Sequence, residues 1–395
     1  MKLISARRLR LPLAILGSAL LLACSDSSDN NGSAPPPVEP PIEPPQPELT
    51  YQADIVWTEY GIPHVTAQDW GSLGYGHGYA LAQENYCVLM KEYVRAKGES
   101  ARYLGDEGDL DSDFVYRMLN NDERIQRMID GIPDFAVKGM EGYAAGLNRY
   151  LSETGADNLA DGEEGCRGAE WVREVDVMDV MRVLHKLVML ASSVELVDFV
   201  AAAEAPDTLA ATAMAKPVED IKQLFAAIDK EEFLAGMGMA EPEELGSNAY
   251  AVGAEASQSG SGVLLGNPHF PWQGSLRFFM SHLTMGDEYD VMGMSVFGSP
   301  INIIGFNQNV AWSHTVSTGQ RFTFYELELN PDNPLQYIYG GEVRDLETYS
   351  DNAERKLTDG SIETNERTFY LSHFGPINDL GTVNSLLGGR PNAAA

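Results

Sequence analysis

Basic side chains are scarce in this 395-residue chain. It has 27 Lys and Arg residues against 58 Asp and Glu residues, so its formal net charge is −31. A surface of this sign repels phosphate backbones, and we therefore expect no nucleic-acid partner. Because 44% of the residues are apolar, the chain can still bury a large core and hold two or three domains.

Long hydrophobic runs are also lacking, apart from one near the N-terminus. Four basic residues precede an apolar run over 11–23, which is short for a bilayer-spanning helix and typical of an export signal. The run ends in Leu-Leu-Ala-Cys24, which resembles the bacterial lipobox. We therefore expect residues 1–24 to be a lipoprotein signal peptide acylated at Cys24, with an ordinary cleaved signal as the alternative. Either reading predicts export, and a lipid anchor predicts a periplasmic protein held to the outer membrane of a Gram-negative bacterium.

Cysteine is nearly absent from the rest of the chain. Residues 25–50 are polar and then Pro-rich, a composition that predicts a disordered linker. Beyond it only Cys87 and Cys166 remain. Export to an oxidising compartment would allow a disulfide between them, and two unpaired buried thiols are the alternative.

Several common site signatures are missing. The nearest approach to a GxSxG elbow is 293–297, which fails at its last position. No HExxH or Cys/His zinc spacing occurs, so we expect neither a metal nor a cofactor. The glycines of "GYGHGY" (74–79) follow GxGxG rather than GxGxxG, and they favour close helix packing over a nucleotide loop.

The chain has two halves of different periodicity. Residues 51–221 predict one short strand followed by amphipathic helices. Residues 247–395 predict short alternating strands separated by Gly, Pro and Asn turns, typical of an antiparallel sheet. Residues 222–246 between them have little periodicity and predict an exposed spacer. The fold class expected from this order is α+β.

The border between the halves contains the sequence "EELGSNAYAVG" (243–253). A serine hydroxyl is a weak nucleophile without a base beside it. The α-amine of Ser247 would be such a base if the preceding bond were cut, since its pKa is near 7.7–8.0. Gly246 suits a cleavage site because it can adopt strained backbone angles. On these residues alone, an ordinary turn between domains is the more common explanation.

Three linked stretches resemble the penicillin acylase family of N-terminal nucleophile hydrolases. They are "GSNAYAVG", "LLGNPHFPW" and "IIGFNQNVAWSHTVSTGQRFTFYEL" (303–327). The helical half agrees through "YGIPHVTA", "GYGHGYALAQEN" and "YAAGLNRYL". The resemblance implies a four-layer αββα sandwich and a precursor that cuts itself between Gly246 and Ser247. It also implies loss of the spacer and a mature α/β heterodimer of a helical chain (51–221) and a catalytic chain beginning at 247.

The resemblance assigns roles to four residues. Ser247 would be the nucleophile, and Asn248 would fix the new chain terminus. His269 would orient the Ser247 amine or hydroxyl, with a core histidine as the alternative. The backbone N–H of Val316 would serve the oxyanion hole.

The stretch 314–327 is most similar to the acyl-homoserine lactone and aculeacin acylases within this family. Gly319, Arg321 and Phe322 stand where the penicillin G branch carries acidic residues near a calcium ion, so we expect no calcium there. Phe270 and Trp272 are candidates for an apolar acyl pocket, and core packing explains them equally well.

The expected function is therefore a self-processing amidohydrolase that cleaves small N-acyl amides. Acyl-homoserine lactones or other aliphatic acyl amides are favoured over penicillins. Signal quenching, scavenging and antibiotic handling are the purposes that such a reaction would suit, and the sequence does not choose among them. The family's second oxyanion donor, an Asn side chain, would lie beyond residue 395, and the pattern drifts after residue 377. We therefore expect a truncated or frameshifted chain, and the alternative function is an inactive acylase-like lipoprotein acting as a binding or structural module.

Overall fold

The computed structural model describes residues 51–160, 165–189, 197–206, 246–315, 323, 325–379 and 393–394. Several predictions concern residues outside these ranges. They are the predictions for the signal peptide with Cys24, for the linker, for most of the spacer, for Val316, and for the absence of calcium at Gly319, Arg321 and Phe322. The helices are α1 (Trp70–Lys97), α2 (Ser100–Tyr103), α3 (Leu110–Leu119), α4 (Asp122–Asp130), α5 (Asp134–Thr154), α6 (Val177–Met189) and α7 (Val197–Ala201), with 3₁₀ turns at Gly105–Glu107, Ala156–Asn158 and Ala254–Ala256. The strands are β1 (Ala53–Trp57), β2 (Pro63–Ala67), β3 (Gly246–Val252), β4 (Val263–His269), β5 (Phe278–Met285), β6 (Tyr289–Val296), β7 (Ile304–Phe306), β8 (Ala311–Trp312), β9 (Glu328–Asn330), β10 (Asn333–Tyr339), β11 (Glu342–Asp345), β12 (Glu347–Lys356), β13 (Ile362–Ser372), β14 (Gly375–Pro376), β15 (Asn378–Asp379) and β16 (Ala393–Ala394).

The largest sheet has six strands in the order β1-β2-β5-β6-β7-β8. Its neighbouring strands are antiparallel except for β2 and β5, which run parallel with His64 opposite His282. The α+β class is confirmed, with helices in the first half and mostly antiparallel strands in the second. The expectation of one strand before the helices was wrong. A turn at Gly61, with φ of 77°, returns the chain as a second strand, which joins the sheet of the other half.

Helix α1 covers one face of this sheet and contacts β1, β2 and β5. Asp69 caps its N-terminus by accepting a hydrogen bond from the Ser72 backbone N–H at 2.8 Å. The helix is irregular at Asn85, whose φ of −135° departs from helical values. Its buried side chains form one core with α5, α6 and the inner residues of the sheet.

Glycines let α1 and α5 approach each other backbone to backbone. A methyl group at Gly74 would overlap the Gly139 carbonyl oxygen, and one at Gly78 would overlap the Tyr143 carbonyl oxygen. The helix-packing role expected for the glycines of 74–79 is therefore confirmed for Gly74 and Gly78, whereas Gly76 packs against Ala53 and Val65 of the sheet. In the same region the structure joins Cys87 of α1 to Cys166 in a disulfide, with the Cα atoms 5.6 Å apart.

A second core lies where α3 and α7 pack on β12 and β13. Of the expected four-layer sandwich, the described residues contain a helical layer on the six-stranded sheet, and β3–β4 forms a separate two-stranded hairpin. Within the described ranges, no helix is long and apolar enough to cross a membrane.

Candidate active site

Strands β3 and β4 form the hairpin that carries most of the sequence-predicted site residues. Gly246 lies opposite His269, Ser247 opposite Pro268 and Asn248 opposite Asn267. Small and larger apolar residues alternate in β3 from Ala249 to Val252, which suits an extended strand. Gly260, with φ of 70°, lies in the loop that joins the two strands. The register brings the Gly246–Ser247 peptide next to His269, although 22 residues separate Ser247 from His269 along the chain.

The two faces of the hairpin divide the predicted catalytic groups. Because side chains alternate along a strand, Ser247 points away from the face that carries His269. Gly246 shares the His269 face, since a Cβ atom built on it would lie 3.5 Å from His269 Nδ1. The imidazole therefore lies beside the peptide bond that would be cut, and no described contact joins it to the Ser247 hydroxyl.

The Ser247 hydroxyl itself is in contact with the peptide unit that precedes it. Its Oγ–H donates a hydrogen bond to the carbonyl oxygen of Gly246. Both residues are partly buried, whereas the rest of β3 is exposed among the described residues. A hydroxyl placed against its own preceding carbonyl has the short path that an attack on that carbonyl requires.

Two carboxamides converge on the far nitrogen of the His269 ring. Asn248 Nδ2 lies 3.2 Å and Asn267 Nδ2 3.0 Å from His269 Nε2. The structure thus places the Asn248 side chain on the histidine, and its role at a new chain terminus stays a prediction. Sequence reasoning missed Asn267, although a residue two positions before a candidate histidine in a strand necessarily shares its face.

The segment that follows β8 packs against the Ser247 face of the hairpin. Gly266 lies on this face, and a Cβ atom built on it would be 3.0 Å from Ser313 Oγ. Ser313 Oγ is buried and has no hydrogen-bond partner among the described residues. The indole of Trp312 donates to the Ile303 carbonyl oxygen at 2.7 Å, which anchors the chain four residues before Val316.

The two aromatic candidates for an acyl pocket have different surroundings. Phe270 packs against Phe278, with ring centroids 5.0 Å apart. Trp272 is 94% exposed and contacts no core among the described residues. Their role in binding an acyl chain stays a prediction.

The candidate site thus combines a strand that begins with Gly-Ser, a hydroxyl on the preceding carbonyl and a histidine across the hairpin. Comparison with known proteins defines the class of the chain. The profile of the penicillin amidase family matches residues 52–388. The chain belongs to the penicillin amidase family.

Two kinds of relative illustrate the branch of the family. The chain is 37% identical over 332 residues to an acyl-homoserine lactone acylase PvdQ of Pseudomonas putida, covering 82% of this chain and 41% of that protein. It is 38% identical over 338 residues to the aculeacin-A acylase of Actinoplanes utahensis, covering 83% and 41%. The chain therefore spans about two fifths of the length of the curated relatives it matches.

A solved structure, the thermostable penicillin G acylase of Alcaligenes faecalis, matches with a TM-score of 0.33 and 23% identity. It covers 47% of this chain and 88% of that chain. A likeness of this size carries no argument about the site.

Proposed function

We propose that the whole protein is a self-processing acylase that hydrolyses the amide bond of small N-acylated molecules. The observation that carries the proposal is the contact of the Ser247 hydroxyl with the Gly246 carbonyl, with His269 beside the same peptide unit. Family membership and the names of the relatives support the choice of amide hydrolysis.

The first reaction is the cut within the precursor. Ser247 Oγ attacks the Gly246 carbonyl carbon, the carbon–nitrogen bond breaks, and the α-amine of Ser247 takes a proton as the ester forms. Water then hydrolyses this ester and releases a carboxylate at Gly246. The products are two chains, and the second begins with a free amine and a free hydroxyl on one residue, which is the α/β heterodimer expected from one precursor.

The second reaction is acyl transfer from the substrate. The amine of Ser247 removes the hydroxyl proton, the oxygen attacks the substrate carbonyl, and the departing amine receives that proton. Water then releases the acyl group from the ester by the reverse path. The backbone N–H of Val316 is our candidate donor to the oxyanion, because this role depends on backbone placement rather than on the side chain.

Acyl-homoserine lactones and other aliphatic acyl amides are the proposed substrates. Relatives named as acyl-homoserine lactone and aculeacin-A acylases support this choice over penicillins. Quenching of acylated signal molecules is the corresponding biological role, and antibiotic modification is a lesser alternative.

Self-cleavage is tested on the complete gene product. N-terminal sequencing should find a chain that begins at Ser247, whereas the Ser247→Ala precursor should stay whole. Ser257→Ala, a change of the same kind in the exposed turn of the hairpin, is the matched control and should be cut normally. An intact wild-type precursor would refute the proposal and favour a non-catalytic binding or structural module. A cut at another position would refute the assignment of the Gly246–Ser247 bond.

The substrate is tested separately with the processed protein. Release of homoserine lactone from a long-chain N-acyl derivative should exceed release of 6-aminopenicillanic acid from a penicillin. Hydrolysis of the penicillin alone would leave the acylase assignment standing and overturn the substrate class.

We also propose export and a lipid anchor at Cys24, on the basis of the basic and apolar start and the Leu-Leu-Ala-Cys24 sequence. Labelled palmitate should enter the mature protein in a Gram-negative host. Cys24→Ala should abolish the label and release the protein from the outer-membrane fraction, and retention of the label in that variant would refute the anchor.

A further inference from the structure

We propose that Asn267 and Asn248 hold His269 as the neutral tautomer with its proton on Nδ1, and so aim an N–H donor at the Gly246–Ser247 peptide. Asn267 and Asn248 are thereby positioning residues, since they act through the histidine. The consequence for self-cleavage rests on the proposed function, whereas the tautomer itself can be measured on uncut protein.

The hydrogen-bonding atoms of Asn248, Asn267 and His269 determine which ring nitrogen carries the proton. A carboxamide nitrogen is a donor only, and both nitrogens lie within hydrogen-bond distance of Nε2, at 3.0 Å and 3.2 Å. A hydrogen on Nε2 would face both donors and leave them without an acceptor. Nε2 is therefore the acceptor, and the ring proton of neutral His269 resides on Nδ1.

The register of the hairpin determines which ring nitrogen faces the Gly246–Ser247 peptide. Asn248 and Asn267 are directly opposite each other, and Gly246 and His269 are the next pair on the same face. The ring thus lies between the two carboxamides on one side and the cleavage site on the other. Nδ1 is the atom that faces the cleavage site, 3.5 Å from the position a Gly246 Cβ atom would take.

An N–H in this place assists the cut in the precursor. When the Ser247 oxygen adds to the Gly246 carbonyl, negative charge develops on the carbonyl oxygen, and a nearby donor stabilises it. After the cut, the same donor beside the new α-amine favours the amine in its neutral form, which is the form that accepts a proton. The opposite tautomer would present a lone pair to the site and lose both effects.

Replacing one carboxamide by a carboxylate tests whether the His269 tautomer depends on it. Asn267→Asp keeps the shape but replaces the donor by a carboxylate, which accepts a hydrogen from Nε2 and favours the other tautomer or the imidazolium. Asn352→Asp, on the exposed face of β12, makes the same change of charge far from the hairpin and is the control.

The first readout is the ring protonation in full-length Ser247→Ala precursor labelled with ¹⁵N-histidine. Long-range ¹H–¹⁵N spectra should show a protonated Nδ1 and a bare Nε2 for His269, identified by the loss of its signals in a His269→Gln sample. In the same precursor background, Asn267→Asp should move the proton to Nε2, and Asn352→Asp should not. A protonated Nε2 in the parent sample would mean that the carboxamide oxygens face the ring, and would overturn the proposal.

The second readout is the rate of self-cleavage in chains that retain Ser247. Asn267→Asp should slow the cut by about tenfold or more, the loss expected for one donor removed from a developing charge. The loss should be largest at high pH, where the variant ring is neutral and bare at Nδ1, and smallest at low pH, where the imidazolium still carries the Nδ1 proton. A merely structural role would not give this pH dependence. Cleavage at the parent rate and with the parent pH profile would refute the positioning role. If the parent chain itself does not cut, the proposed function fails while the spectra still decide the tautomer.

Discussion

His77 of α1 is fully buried, and its ring packs against Tyr143 of α5 and Phe279 of β5. Its Nδ1–H donates a hydrogen bond to the Pro300 carbonyl oxygen at 3.0 Å, and its Nε2 has no partner among the described residues. Burial disfavours the charged ring and lowers the pKa of His77 to about 4. This histidine should make the stability of the protein depend on pH.

The sign of the dependence follows from proton binding. In the unfolded chain His77 has a pKa of about 6.5, so below that pH the unfolded state binds more protons than the folded state. The free energy of unfolding is therefore unaffected by His77 above about pH 6.5, and it decreases as the pH falls from 6.5 towards 4. At pH 5 the two pKa values give a loss of about 2 kcal/mol from this residue.

Urea unfolding at pH 7 and pH 5 measures this loss. The His77→Gln variant keeps a polar side chain that can donate to Pro300 but does not titrate, so its stability should fall by about 2 kcal/mol less between the two pH values than that of the parent. His314→Gln, at an exposed position of the described chain, shows how much the removal of an exposed histidine changes the result. An equal fall in parent and His77→Gln proteins would refute the reasoning.

Three further predictions concern the core. Gly142→Ala should destabilise the protein by about 1–3 kcal/mol, because its methyl would overlap the Gly71 carbonyl oxygen, and an unchanged melting temperature would contradict the close helix contact. Cys87→Ser should cost about 4.5 kcal/mol by the entropy of a loop closed over a separation of 79 residues, and a reducing agent should destabilise the parent but not this variant. Glu92→Gln should cost about 3–5 kcal/mol in urea unfolding, because it removes the buried carboxylate that pairs with the largely buried ammonium of Lys186 at 2.5 Å and with Arg95 at 2.8 Å. A loss below about 1 kcal/mol would contradict the importance of this pairing.

Much of the candidate site could be predicted from local sequence. The Gly246-Ser247 pair, the following alternation and the two downstream stretches indicate the family together, because each places a particular residue type at a fixed distance from the nucleophile. The helix-packing glycines Gly74 and Gly78 could also be predicted, since small residues four positions apart share a helix face and permit backbone contact.

Other contacts depend on strand pairings that no local pattern specifies. His64 Nδ1 lies 2.9 Å from His282 Nδ1, although 218 residues separate them, and His282 Nε2 lies 2.6 Å from Asp290 Oδ1. This chain of contacts exists because β2 pairs parallel with β5, an arrangement that joins the two halves of the protein. Alternation in β2 and β5 predicts which residues share a face but not which strand lies next to which.

By itself the sequence determined the α+β order of elements, the candidate serine near the start of β3 and the family to which the chain belongs. These properties reside in periodicity and in fixed spacings, which are local. The tertiary structure alone decided that His269 lies on the Gly246 face and not on the Ser247 face, and that Asn248 and Asn267 meet on its Nε2. The physical reason is that hydrogen-bond partners across a hairpin are set by register, and a shift of one residue would turn every one of these side chains to the other face.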